Sequence, residues 1–213
     1  MRYKAILFDM DGTLLDTLTD MADAVNHILS VHGWPLRTTE EVRAFVGNGA
    51  RRLMERAVPP EVTGGDFETV LTEYRDWYQA HNCVATAPYP GIPALLAALA
   101  EAGVKTAVVS NKPDATTKTL AARFFPGLPA FGQRDDVPPK PAPDLVYRAL
   151  ETLGVDTADA VYVGDSEVDV ATARNAGLPL AAVSWGFRGR RALAEAGAAV
   201  IVDTAEELLE VLR

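Results

Sequence analysis

Apolar residues along this chain recur with two different periods. Short unbroken runs at 5–8, 106–109, 160–163, 180–183 and 199–202 are rich in Val, Ala and Leu and lack polar alternation, which is the pattern of strands buried on both faces. Between the later runs, apolar positions recur every three to four residues and predict helices at about 92–102, 113–124, 142–153, 167–176 and 204–212. Strand and helix in strict alternation imply right-handed crossovers and a parallel sheet covered on both faces. The expected fold class is therefore α/β, a doubly wound parallel sheet with a Rossmann-like core. The segment 124–140 breaks the rhythm, since Pro126-Gly127-Leu128-Pro129 leaves little room there for a regular strand.

One stretch keeps the helical period without any strand. After Asp16, the residues Leu18, Met21, Val25, Ile28 and Leu29 share a face, with Thr17 or Thr19 to cap it. Thr38 or Thr39 opens a short helix to Phe45, with Glu40 and Glu41 suited to its first turn. The turn Val46-Gly47-Asn48-Gly49 leads into a helical run from Ala50 to Val58. Beyond a break at Pro59-Pro60 and Gly64-Gly65, the side chains of Phe67, Val70, Leu71, Tyr74, Trp77 and Tyr78 line one more helical face. The first and second strands are thus separated by about ninety residues, where a crossover needs only a few dozen. An inserted helical-bundle cap at 17–87 follows, carried by a Rossmann-like core of 1–16 and 88–213. Both connections leave the crevice end of the sheet, so the insert can act as a lid. The return linker Ala87-Pro88-Tyr89-Pro90-Gly91 has the stiff turn chemistry of a hinge boundary.

Bulk properties narrow the partners. A net charge of −9 over 213 residues disfavours nucleic acid and anionic membrane surfaces, and no apolar run approaches a membrane span. The lone Cys83 allows no internal disulfide, so a reducing cytoplasm is the expected compartment, without a signal peptide ahead of the first strand. Cys83 is expected to be an inert thiol. An anionic substrate would have to be drawn in by local cations or a metal against this background.

The chemistry collects at strand ends, where open parallel sheets place their ligand crevice. The first run ends in Asp9-Met10-Asp11-Gly12, two carboxylates one residue apart that repel unless a divalent metal or a shared proton holds them. The second ends in Ser110-Asn111-Lys112, which makes either a helix cap or a place for an anion. The third ends in Gly164-Asp165 with Asp169 four residues on, on one face of a helix start. Lys140 lies in Pro138-Pro139-Lys140-Pro141, a segment that could also be a surface loop or a polyproline ligand. In the insert, Arg43, Arg51, Arg52 and Arg56 fall within fourteen positions, although 17–87 holds six basic against ten acidic side chains. An anionic group could be met there by Arg51 or by backbone amides freed at Gly47 and Gly49. Arg52 and Arg56 read as a solvated helix face, Arg188 to Arg191 as surface, and His27, His32 and His81 have no ligand spacing.

Asp9-Met10-Asp11-Gly12-Thr13, Ser110-Asn111, Lys140-Pro141 and Gly164-Asp165 with Asp169, in that order, resemble the four motifs of the haloacid dehalogenase superfamily. The resemblance spans nearly the whole chain, because the insert is similar to the superfamily's four-helix cap. Phe45 to Ala50, Leu53 to Ala57 and Tyr89-Pro90-Gly91 resemble its phosphoglycolate phosphatases. What this implies is a Mg²⁺-dependent phosphomonoesterase acting on a small phosphorylated metabolite, with 2-phosphoglycolate the leading guess. Other sugar-phosphate or pyrophosphate hydrolases, a phosphomutase and a catalytically silent binding module are the rivals. The resemblance makes Asp9 the nucleophile and Asp11 the acid and base, with Ser110, Asn111 and Lys140 on the phosphoryl oxygens. It assigns Mg²⁺ to Asp9, the Asp11 carbonyl and Asp165, with Asp169 behind them, and substrate choice to Gly47, Gly49 and Arg51. The expected assembly is a monomer or homodimer.

Overall fold

Strand β1 (Ala5–Phe8) is wholly buried and pairs on both edges. The computed structural model describes residues 2–213. Ala5 stands opposite Lys105 of β4 (Lys105–Pro113) and Ala160 of β6 (Ala160–Gly164), both parallel to β1. With β5 (Ala130–Gln133), β7 (Leu180–Val183) and β8 (Ile201–Val202), the six-stranded sheet has the order β5-β4-β1-β6-β7-β8. From β1 the chain builds outward through β4 and β5, then returns to β6 and builds the other way. The order therefore reverses between β1 and β6, so the carboxyl ends of those two strands flank the crevice.

Because side chains alternate across a strand, Ala5 and Leu7 face one helical layer and Ile6 and Phe8 the other. Ala5 and Leu7 join a cluster with Leu145, Val146, Ala149, Leu150 and Leu153 of α7 (Asp144–Leu153) and Ala173 and Ala176 of α8 (Glu167–Ala176). Truncating a buried leucine such as Leu7 to alanine would cost about 2–5 kcal/mol. The helices α5 (Ile92–Glu101), α6 (Asp114–Phe124), α9 (Gly189–Glu195) and α10 (Ala205–Leu212) complete this unit, which comprises 1–16 and 88–213.

The second unit, Thr17–Ala87, is helical. Helix α1 (Leu18–Val31) packs on α4 (Gly64–His81) and α2 (Thr39–Phe45), and α3 (Gly49–Ala57) packs on α2 and α4. Thr38 closes a capping box with Glu41, whereas Thr17 stands at the N-cap of α1 without a side-chain cap bond. The buried carboxylate of Asp20 gathers the N–H groups of Val84, Ala85 and Thr86 at 2.8–3.1 Å. This ties the returning segment to the first turn of α1. The short β2 (Leu15–Asp16) and β3 (Ala87–Pro88) pair where the chain passes between units.

The structure corrects several expectations. The irregular 124–140 segment does hold a strand, β5, which pairs with β4 from Val108 opposite Ala130. An edge strand needs partners on one side only, so the proline-flanked approach is tolerated, and the Pro129 carbonyl even accepts from Val108 N at 2.8 Å. Strand β4 runs on through Ser110, Asn111 and Lys112, with its register shifting between Val109 and Pro113. Gly64 and Gly65 open α4 instead of breaking before it. Arg190 and Arg191 lie on α9, a helix the sequence pattern did not suggest, anchored by buried Leu193. No helix among the described residues is long and apolar enough to cross a membrane.

Candidate active site

Asp9 follows β1 directly, its N–H bonded to the Val163 carbonyl of β6 at 2.9 Å, so its side chain emerges where the strand order reverses. The chain then folds into a tight turn in which the N–H groups of Thr13, Leu14 and Leu15 converge on the Met10 carbonyl. Gly12 makes that turn possible: its φ is +84°, and a Cβ there would run into the carboxylate of Asp165.

Lys140 organises the acidic groups. Its Nζ lies 2.9 Å from Asp9 Oδ1, 2.9 Å from Asp169 Oδ1 and 3.0 Å from the Tyr162 hydroxyl, in a side chain only 2% exposed. Asn111 braces it from below: Asn111 Oδ1 accepts from Lys140 N at 2.8 Å, and Asn111 Nδ2 donates to the Lys140 carbonyl at 3.0 Å. Asp169, at the third position of α8, accepts through Oδ2 from Ser166 N (3.1 Å) and Ser166 Oγ (2.6 Å). Asp165 accepts from Phe187 N at 2.7 Å and Thr13 Oγ1 at 3.3 Å. Ser110 is buried beside them on β4, its Oγ accepting from Lys112 N at 3.2 Å. Asp11 meets a second ammonium, Lys112 Nζ, at 3.0 Å from both of its oxygens.

The electrostatics follow from burial. Asp9 is pushed up to about 7, first by desolvation and then by Asp169 and Asp11, against the opposing pull of Lys140. Burial raises Asp165 well above the usual carboxylate range, and Asp169 and Asp9 add to it. For Lys140, desolvation favours the neutral amine, but Asp169 and Asp9 outweigh it and hold the ammonium well above its ordinary value.

The donor set suits a divalent cation. Carboxylate oxygens of Asp9, Asp165 and Asp169 lie within 4.8 Å of one another. Lys140 pairs with Asp9 and Asp169 and Lys112 with Asp11, so with all four carboxylates ionised, as a bound cation would hold them, Asp9, Asp11, Asp165 and Asp169 exceed these two ammonium groups by two charges. Hard oxygen donors with excess negative charge are what a small hydrated cation such as Mg²⁺ prefers.

The seven core residues singled out from the sequence, Asp9, Asp11, Ser110, Asn111, Lys140, Asp165 and Asp169, therefore gather at one end of the sheet. The side-chain amide of Asn111 is engaged with the Lys140 backbone. Gly47 and Gly49 stand at the amino end of α3 with φ of +117° and +81°. Arg51 forms a two-pronged pair with Glu68 (2.8 Å on each arm) and lies over the Phe67 ring. Arg43, Arg52 and Arg56 engage Glu40, Glu55 and the Phe45 carbonyl in the same unit.

Sequence reasoning gave no role to Lys112, Tyr162, Gly186 or Phe187. Gly186 has no room for a side chain, because a Cβ there would strike the Asp165 carboxylate and the Gly12 carbonyl. The signal for Gly186 and Phe187 was available, since both follow the carboxyl end of β7.

This arrangement is that of a hydrolase family. Residues 6–183 match the profile of haloacid dehalogenase-like hydrolases, and the chain belongs to that family. It is 36% identical to the N-acetylmuramic acid 6-phosphate phosphatase of Pseudomonas aeruginosa over 100% of this chain and 96% of that one. It is 34% identical to a phosphoglycolate phosphatase of Pseudomonas savastanoi pv. phaseolicola over 97% of this chain and 78% of that one. A crystal structure from Lactobacillus delbrueckii subsp. bulgaricus, of a protein proposed to be a phosphoglycolate phosphatase, superposes with a TM-score of 0.94. Sequence identity there is 38%, over 100% of this chain and 99% of that one.

Proposed function

We propose that this protein is a Mg²⁺-dependent phosphomonoesterase that works through an aspartyl-phosphate on Asp9. The observation that carries the reading is the Asp9–Lys140–Asp169 array, with Asp165 beside it, at the point where the strand order reverses. In the first half-reaction an Asp9 oxygen bonds to phosphorus while the ester oxygen leaves, and Asp11 supplies the proton that the leaving alkoxide needs. In the second, water attacks phosphorus, the bond to Asp9 breaks, and Asp11 takes the water proton as inorganic phosphate departs. Lys140 and Ser110 hold phosphoryl oxygens, and Asn111 acts by fixing Lys140. When bound, Mg²⁺ would sit on the carboxylates of Asp9 and Asp165 and the Asp11 carbonyl, offsetting the charge of Asp9 and the phosphoryl group. Asp169 keeps Lys140 charged and in place.

The substrate is a small phosphorylated metabolite, and 2-phosphoglycolate remains the first candidate. The full-length likeness to an N-acetylmuramic acid 6-phosphate phosphatase supports a second. Both esters carry a carboxylate. We assign the choice between them to the inserted unit acting as a cap, with Gly47, Gly49 and Arg51 as the groups to test. Arg51 would have to exchange Glu68 for the substrate. The experiment is turnover of p-nitrophenyl phosphate with and without Mg²⁺, followed by kcat/KM for the two candidate esters. Absence of metal-dependent turnover on every phosphomonoester tried would overturn the reading.

A further inference from the structure

We propose that Lys112 is a positioning residue for Asp11, acting chiefly in hydrolysis of the phosphoryl-enzyme. The inference rests on the assignment of Asp11 as acid and base made above.

Lys112 Nζ lies 3.0 Å from Asp11 Oδ1 and 3.0 Å from Oδ2, and its side chain is only 4% exposed. This is not a solvated surface pair, whose two long side chains would wander. Both ends of the contact are anchored. Lys112 sits on β4, where its N–H reaches Ser110 Oγ and its carbonyl accepts from Thr117 Oγ1 at 3.1 Å. Asp11 is fixed in the turn closed by Gly12 N to the Leu15 carbonyl at 2.9 Å.

An ammonium group has only donors. A fork across both oxygens therefore sets the carboxylate plane and leaves each Asp11 oxygen an acceptor, which is the arrangement of a base. Donating a proton to the leaving oxygen requires an O–H aimed at that oxygen, and the fork has to open for it. The geometry thus matches the second half-reaction. There water's oxygen bonds to phosphorus, the phosphorus–Asp9 bond breaks, and water's proton passes to a waiting Asp11 oxygen. Lys112 matters less to the first half-reaction, where its hold on Asp11 has to be released.

The test uses full-length Lys112→Met and Lys112→Arg, with Asp11→Asn as reference, on p-nitrophenyl phosphate and an alkyl phosphate. Acid quench followed by intact-protein mass spectrometry reads the phosphoryl-enzyme. Lys112→Met should lower kcat by about 10- to 100-fold, a part of the ~10²–10⁴ typical of an acid or base. Phosphoryl-enzyme should accumulate, KM should fall with kcat, and kcat should become the same for both esters, because breakdown of a common intermediate limits the rate. Lys112→Arg, which can still fork a carboxylate, should recover most of the loss. If Lys112→Met does not fold, Lys112→Gln takes its place. A loss of kcat without accumulation, or with the leaving-group dependence intact, would overturn the inference, as would an unchanged kcat. If Asp11→Asn traps no phosphate, the broader assignment is at fault; if Asp11→Asn traps it and Lys112→Met does not, this inference alone fails.

Discussion

Replacing Lys140 with methionine should destabilise the protein and silence it, and a double-mutant cycle with Asp169 separates the two effects. The ammonium touches Asp9, Asp169 and the Tyr162 hydroxyl within 3.0 Å in a nearly sealed site. Removing one partner of a buried pair leaves uncompensated charge and costs about 3–5 kcal/mol. For a chain of this size, at roughly 2–4 °C per kcal/mol, Lys140→Met should melt about 6–20 °C lower. Asp169→Asn should cost less, about 1–3 kcal/mol, since an amide oxygen can still accept from Ser166 and Lys140 keeps Asp9. In the double variant the loss of Lys140 no longer strands Asp169, so the two changes should couple by about 2 kcal/mol, within the usual range for residues in contact. Chemical denaturation of the four proteins in metal-free buffer measures this, and turnover of p-nitrophenyl phosphate follows activity. A coupling below about 0.5 kcal/mol would show that Asp169 does not hold the ammonium, and the array inferred around Lys140 would fall.

Other expectations follow from neighbouring geometry. Asp165→Ala should remove most Mg²⁺-dependent turnover while far-ultraviolet circular dichroism stays unchanged, and near-parental activity would refute the metal assignment. Gly186→Ala should push Asp165 aside and raise the Mg²⁺ concentration needed for half-maximal activity, measured by metal titration. Because Arg51 is tied to Glu68 on an exposed face, Arg51→Ala should change stability by about 1 kcal/mol or less. Its kcat/KM for a carboxylate-bearing ester should fall more than for p-nitrophenyl phosphate only if the arginine leaves Glu68 for substrate. Glu41 is held below the usual carboxylate range by the backbone N–H and hydroxyl of Thr38. Its contribution is present at neutral pH, above its unfolded value, and disappears as pH falls through the lower folded value. Glu41→Gln should therefore lower the melting temperature more at pH 7 than in acid, with the difference shrinking as pH falls.

Local pattern carried the fold class, and together with the family resemblance it picked out the core residues of the candidate site. The buried run of β1 breaking into Asp9 and Asp11, and that of β6 breaking into Asp165, are short-range features, and parallel-sheet geometry sends such strand ends to one crevice. The family's four motifs could be recognised for the same reason: each is a few contiguous residues. Contacts between distant residues were not legible. Nothing near Lys112 indicates that its ammonium forks a carboxylate 101 positions away, because the register of β4 against β1 decides it. The engagement of Asn111 with Lys140, and of Arg51 with Glu68, likewise depends on which long side chains the packed backbone brings within 3 Å. Strand β5 was hidden because its own residues specify it weakly and the exposed edge of β4 supplies its hydrogen bonds. Sequence thus determined which groups reach the crevice, through periodicity and turn chemistry. The tertiary structure decided how those groups pair, because pairing energies depend on distances of a few ångströms that no linear spacing encodes.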